Sequence, residues 1–193
     1  HSGNEDITNE NVKYIEKEFE TIYQRIVSVD EKEDDILTYY WRAVSGKGYF
    51  SDEIVEGVKK TLENETDKTK WIKEFVSGIS QAFDTIFKVK QSNYNYIKDL
   101  YYLNNMALSY PFFIKADRCK VTETTFLRLA HFLENITFRS LVRGGRADIE
   151  SRLNRVLING HTDAEIDGGI SDMINTIRTD WWWSYWNDNE LMR

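Results

Sequence analysis

An all-α fold, an irregular bundle of about eight helices, is what this sequence predicts, and three observations predict it. Apolar residues recur at alternating steps of three and four along most of the chain, the spacing that lines one face of a helix. No run alternates apolar and polar residues as a half-buried strand does. One proline and ten glycines in 193 residues are too few for a turn-dense all-β chain. The 41% hydrophobic and 14% aromatic content is enough for a sizeable core and excludes general disorder.

Each element follows from its own pattern. Val12, Ile15, Phe19, Ile22 and Ile26 form the inner stripe of the first helix. Residues 1–10 read as disordered or as a cloning remnant. Asp30 with Glu33 three residues on resembles a capping box, and the helix it opens carries Ile36, Leu37, Tyr40, Trp41 and Val44 to a break at Gly46-Lys47-Gly48. Ser51 caps a helix to about Glu63 with Ile54, Val55, Val58 and Leu62 inward, and Asp67 or Thr66 caps the next. That next helix, from Lys68 to about Val89, has the clearest stripe: Ile72, Phe75, Val76, Ile79, Phe83 and Ile86.

Further along, Ser92 or Asn93 caps a helix bearing Tyr96, Ile97, Leu100, Tyr101 and Met106, and Pro111 suits the first turn of a short helix or a connector. Thr122 caps a long helix to about Val142 whose inner face is Phe126, Leu129, Ala130, Leu133 and Ile136. Leu127, Phe132, Phe138 and Leu141 widen its apolar surface, which predicts a central place in the bundle. Ile149, Leu153, Val156 and Leu157 mark a helix closed at Gly160. Thr162 with Glu165 then makes a capping box for a last helix carrying Ile166, Ile170, Met173, Ile174 and Ile177. Gly168-Gly169 inside that helix costs about 1 kcal/mol per glycine relative to alanine, which predicts close packing or a kink there. The segment Trp181-Trp182-Trp183-Ser184-Tyr185-Trp186 exposes too much apolar area to stay in water. It is expected to pack on the helices or across an interdomain seam. Asn187-Asp188 reads as the cap of a further helix that Arg193 leaves unfinished, so 1–193 reads as a single helical domain cut from a longer protein.

Charge and cysteine usage narrow the class. The net charge of −7 opposes a surface that grips phosphate throughout, but it is uneven. Residues 1–110 hold 14 basic against 20 acidic side chains, and residues 115–155 hold 9 against 5. The lone Cys119 cannot form an internal disulfide, so a reducing, cytoplasmic compartment is expected. No apolar run reaches the ~18 residues of a membrane span, so no membrane partner is expected.

Site chemistry is sparse. His1, His131 and His161 are not paired at helical spacing, so no metal site is read; His131 reads as structural and His161 as a loop residue. Ser45-Gly46-Lys47-Gly48 lacks the strand a phosphate loop needs and reads as a turn. Arg143-Gly144-Gly145-Arg146 is either a helix end with a tight turn or an anion nest. Asp34-Asp35 and the Asp163, Glu165, Asp167 group are the carboxylate pairs that any charged helix face produces, so no catalytic residue is assigned. Arg139, Arg143, Arg146, Arg152 and Arg155, with Arg128, are the best polar feature. They are either a basic strip for DNA or a neighbouring domain, or surface partners of Glu134, Asp148 and Glu150.

The run from Phe126-Leu127-Arg128-Leu129 through Phe138-Arg139 and Leu141-Val142-Arg143-Gly144-Gly145, then Ile149 to Leu157, resembles the helical region of GmrSD-type restriction proteins. Leu37-Thr38-Tyr39-Tyr40-Trp41 and Tyr110-Pro111-Phe112-Phe113 are similar to that family too, so the likeness covers most of residues 30–185. It implies a parent with an N-terminal ParB-like nucleotide-binding domain and a C-terminal HNH nuclease. This chain holds neither a DGQQR-like string nor an HNH histidine cluster, so no catalytic residue carries over. The implied role is a non-catalytic connector without a cofactor of its own. Its partners would be the remaining domains of the same chain and, through the parent, DNA. Arg139, Arg143, Arg146, Arg152 and Arg155 would make those contacts, and Trp181, Trp182, Trp183 and Trp186 would pack between domains. A stand-alone helical module that binds a protein through its aromatic surface is the alternative.

Overall fold

The structure, a computed structural model, describes residues 2–29, 31–46, 51–143 and 149–179. Among these the regular elements are all α-helices: α1 (Ser2–Val29), α2 (Glu33–Ser45), α3 (Ser51–Asn64), α4 (Lys68–Lys90), α5 (Asn95–Tyr102), α6 (Met106–Arg118), α7 (Glu123–Arg143), α8 (Ile149–Asn159) and α9 (Asp163–Thr179). The all-α expectation therefore holds. None of these helices is long and apolar enough to cross a membrane. Helix α1 starts at Ser2, within the residues 1–10 read as disordered or as a cloning remnant, and the Trp-rich segment lies outside the described residues. Contacts group the chain into two compact units, His1–Arg42 with Lys47–Lys90, and Ala43–Gly46 with Gln91–Arg193.

Unit 1 is built on α1 and α4, which run side by side in the same direction. Lys73 lies over the Tyr14 ring at 5.3 Å, Arg25 pairs with Asp84 at 3.1 Å, and Lys90 pairs with Glu31 at 2.9 Å and donates to the Val29 carbonyl. The predicted α4 stripe forms the core side, with Val76, Phe83 and Ile86 buried. Asp67 caps α4 as expected, its carboxylate accepting the Lys70 N–H at 2.9 Å. An aromatic cluster joins α2 to α4: Phe75 stacks on Trp71 at 4.9 Å and takes the edges of Tyr40 and Trp41 at 5.5 and 6.3 Å. Tyr40 lies directly over Gly78, and a Cβ there would come within 2.1 Å of the tyrosine oxygen. Three inward assignments fail. Val12 and Phe19 on α1 and Val55 on α3 are exposed, because the stripe on each helix is wider than the face its neighbours cover.

Unit 2 repeats the device with α7 and α9. Asp163 at the start of α9 accepts the Thr122 N–H at 2.8 Å, and Arg128 bonds to Asp167 and Ser171, so these helices also run the same way. As predicted, α7 is central and packs on α5, α6 and α9. Leu129, Ala130, Leu133 and Ile136 are buried as expected, while Phe138 and Leu141 are exposed.

Helix α6 differs from expectation. Asn104, at φ +53°, ends the turn after α5, and Met106 starts α6 instead of extending α5. Pro111 sits inside α6, where it removes one backbone donor, a cost of about 3 kcal/mol. Every residue from Leu108 to Ala116 is buried, and that packing carries the helix through the proline. Helix α5 begins at Asn95 with no side-chain cap; Ser92 instead accepts the Tyr94 N–H at 3.3 Å. Thr162 does cap α9, accepting the Glu165 N–H at 3.3 Å, but the Glu165 carboxylate reaches one residue further back, to the His161 N–H at 2.8 Å. Close packing does not account for the glycine pair. Gly168 has nothing within 4 Å of a Cβ position, and Gly169 meets Val156 at an ordinary 3.6 Å.

Candidate functional site: an arginine-lined cleft between α7 and α9

One face of α7 presents Arg128, His131, Asn135 and Arg139 at steps of three, four and four. Opposite them α9 presents Ile174, Ile177 and Arg178, and with Phe132 and Ile136 they enclose a cleft of ≈ 270 Å³. The apolar residues come from both helices and the polar atoms stand among them, the usual composition of a small ligand site. The cleft lies wholly within unit 2.

Arg128 is fixed. Its guanidinium donates to the Asp167 carboxylate and carbonyl and, at 2.7 Å, to the Ser171 hydroxyl. Both charged side chains remain more than a third exposed, so solvent weakens the pair. His131 stacks on Tyr96 with centroids 4.4 Å apart and rings 22° from parallel, which holds the imidazole at the rim. Glu134, one turn from the arginine face, has its carboxyl pushed up by burial; Asp99 adds to that, and His131 and Arg139 oppose it. Arg139 is half-buried in the cleft and Arg178 is exposed in the last turn of α9. Arg139 and Arg178 bring guanidinium charge to the cleft from its two helices over an apolar floor, chemistry suited to an anionic group.

Arg139 lines the cleft, whereas Arg152 and Arg155 belong to α8 and are absent from its lining. Arg143 ends α7, with its side chain outside the described set, and Arg146, Trp181, Trp182, Trp183 and Trp186 lie outside the described residues. Arg178 and Asn135 escaped the sequence reading. The signal for Asn135 is the 128, 131, 135, 139 polar stripe, to which apolar periodicity is blind. Arg178 belongs to the site only through the pairing of α9 with α7.

The remaining candidate polar groups are used structurally. Asp163 and Glu165 both have carboxyls held below the usual range, the first mainly by the Thr122 N–H and the second by the His161 N–H. Gly46, at φ +63°, forms a bend whose Cβ position falls against the Ile158 side chain, while Lys47 and Gly48 lie outside the described residues. Cys119 approaches the Gly160 carbonyl at 3.8 Å, and burial pushes its thiol pKa up, away from reactivity. Among the described residues no three His, Cys, Asp or Glu side chains gather as a metal site would require. No protein-family model, curated protein or solved structure matches this chain.

Proposed function

We propose that this chain is a non-catalytic helical connector of a GmrSD-like restriction protein, joining a nucleotide-binding domain to a nuclease domain. In this reading the α7–α9 cleft is the face that meets an anionic surface, DNA phosphates first. The observation that carries it is the cleft itself: Arg128, His131 and Arg139 on one helix face, with Arg178 opposite. Support comes also from where the family likeness lies, since residues 126–157 build α7 and α8. The local surplus of basic side chains over residues 115–155 fits the same role.

A fluorescent duplex of about two helical turns, titrated with the full chain at low and at physiological salt, tests the reading. Binding should weaken with salt, and Arg139→Glu with Arg178→Glu should lower the slope of log K against log salt by about 2. Absence of binding at low salt, or binding indifferent to both substitutions, overturns it in favour of a protein-binding helical module.

A further inference from the structure

A second surface, in unit 1, does not depend on the arginine cleft. Helices α1, α2 and α4 leave a groove of ≈ 600 Å³ walled by Phe19, Ile22, Tyr23, Ile26, Leu37 and Phe83. Phe19, from the apolar stripe of α1, is 55% exposed, and Tyr23, one turn further on, is 69% exposed. Scattered exposed aromatics are ordinary; two successive ones opening into a formed groove constitute a patch.

The charged side chains lining this groove have one sign. Its ionisable lining consists of Glu20 from α1 and Glu33 and Asp34 from the first turn of α2, with no basic side chain among the lining residues. Arg25 of α1 is turned to Asp84 and Ser80 of α4. The α2 N-terminus offsets roughly half a unit charge, but Glu33, Asp34 and Asp35 in that turn exceed it. Residues 1–42 as a whole hold 11 acidic against 5 basic side chains.

From this we infer that the groove receives a cationic amphipathic helix of a partner protein. Phe19, Tyr23 and Ile26 stand at i, i+4 and i+7 on α1. They cover about 10 Å of helix length, the reach of two turns of a helix laid alongside. Lys or Arg flanking the partner's apolar anchors would meet Glu20 on one side and Glu33 and Asp34 on the other. Complementary charge of this kind sets encounter rate and orientation, while the apolar anchors supply affinity. The same carboxylates repel phosphate, which excludes nucleic acid and anionic lipid from this groove.

The test uses the full chain and a labelled synthetic helix of about 18 residues made of Leu and Lys in amphipathic order, with a scrambled version and a Leu/Glu counterpart. The amphipathic Leu/Lys probe should bind and the other two should not. Tyr23→Ala and the pair Glu20→Lys/Asp34→Lys should each weaken binding about tenfold. The pair Glu63→Lys/Glu65→Lys, elsewhere in unit 1, should leave it unchanged, with far-ultraviolet circular dichroism preserved throughout. Equal loss in the two charge-reversed pairs, or equal binding of the scrambled or Leu/Glu probe, overturns the proposal. Salt-sensitive self-association that Tyr23→Ala abolishes would make the occupant a second copy of this chain and would overturn it equally.

Discussion

Arg128 on α7 and Asp167 on α9 form a charged hydrogen bond, and the same guanidinium also reaches the Asp167 carbonyl and the Ser171 hydroxyl. One side chain thereby ties two successive turns of the neighbouring helix. Because both partners stay partly exposed, the coupling is modest. A double-mutant cycle of Arg128→Ala and Asp167→Ala should return about 1 kcal/mol, falling as salt is raised. Urea unfolding of the four proteins at two ionic strengths measures it.

Two glycines in helix interiors should respond oppositely to alanine. At Gly78 a methyl group would occupy the place of the buried Tyr40 side chain, with its hydroxyl oxygen and two ring carbons within 2.7 Å. Gly78→Ala should therefore cost about 1–3 kcal/mol of overpacking. At Gly168 the methyl would meet nothing, so Gly168→Ala should raise stability by about 0.5–1 kcal/mol through helix propensity and a less flexible unfolded chain. Chemical denaturation midpoints decide both.

Acid sensitivity should be concentrated where α7 and α9 begin. Asp163 and Glu165 have lowered carboxyl pKa values in the folded chain, because each accepts a backbone N–H. Lowered folded values mean that the unfolded state binds protons first. Their contribution is complete above the unfolded pKa values of about 3.9 and 4.3 and is lost as the pH falls through the lower folded values. Asp163→Asn with Glu165→Gln should flatten the stability profile below about pH 4.5. An unaltered acid limb would count against this assignment.

Thr137 on α7 is fully buried and its hydroxyl has no hydrogen-bond partner among the described residues. Thr137→Val keeps the shape and removes the stranded polar atom, so it should stabilise the chain by about 1 kcal/mol. A thermal scan beside the wild type checks the sign.

Helix type and order were legible because stripes such as Ile72 to Ile86 repeat without interruption. Caps were legible where a short polar side chain directly precedes the run, as Asp67, Thr122 and Thr162 do. What escaped was set by tertiary packing. Periodicity identifies an apolar face but not how much of it a neighbour covers, so Val12 and Phe19 are outside despite their register. A proline inside a helix is tolerated at Pro111 only because the whole turn is buried. The arginine cleft was half legible: its α7 side is a polar stripe written in the sequence, and its α9 side depends on which helix lies opposite.

The approach of Tyr40 to Gly78 also bears on how this sequence can diverge. The tyrosine ring and a side chain at 78 compete for one volume, so the two positions act as a single choice made by two helices. A descendant that gains a methyl at 78 must surrender the ring at 40, and a bulky 40 keeps 78 bare. In an alignment of relatives the two columns should change together, although 38 residues of chain separate them.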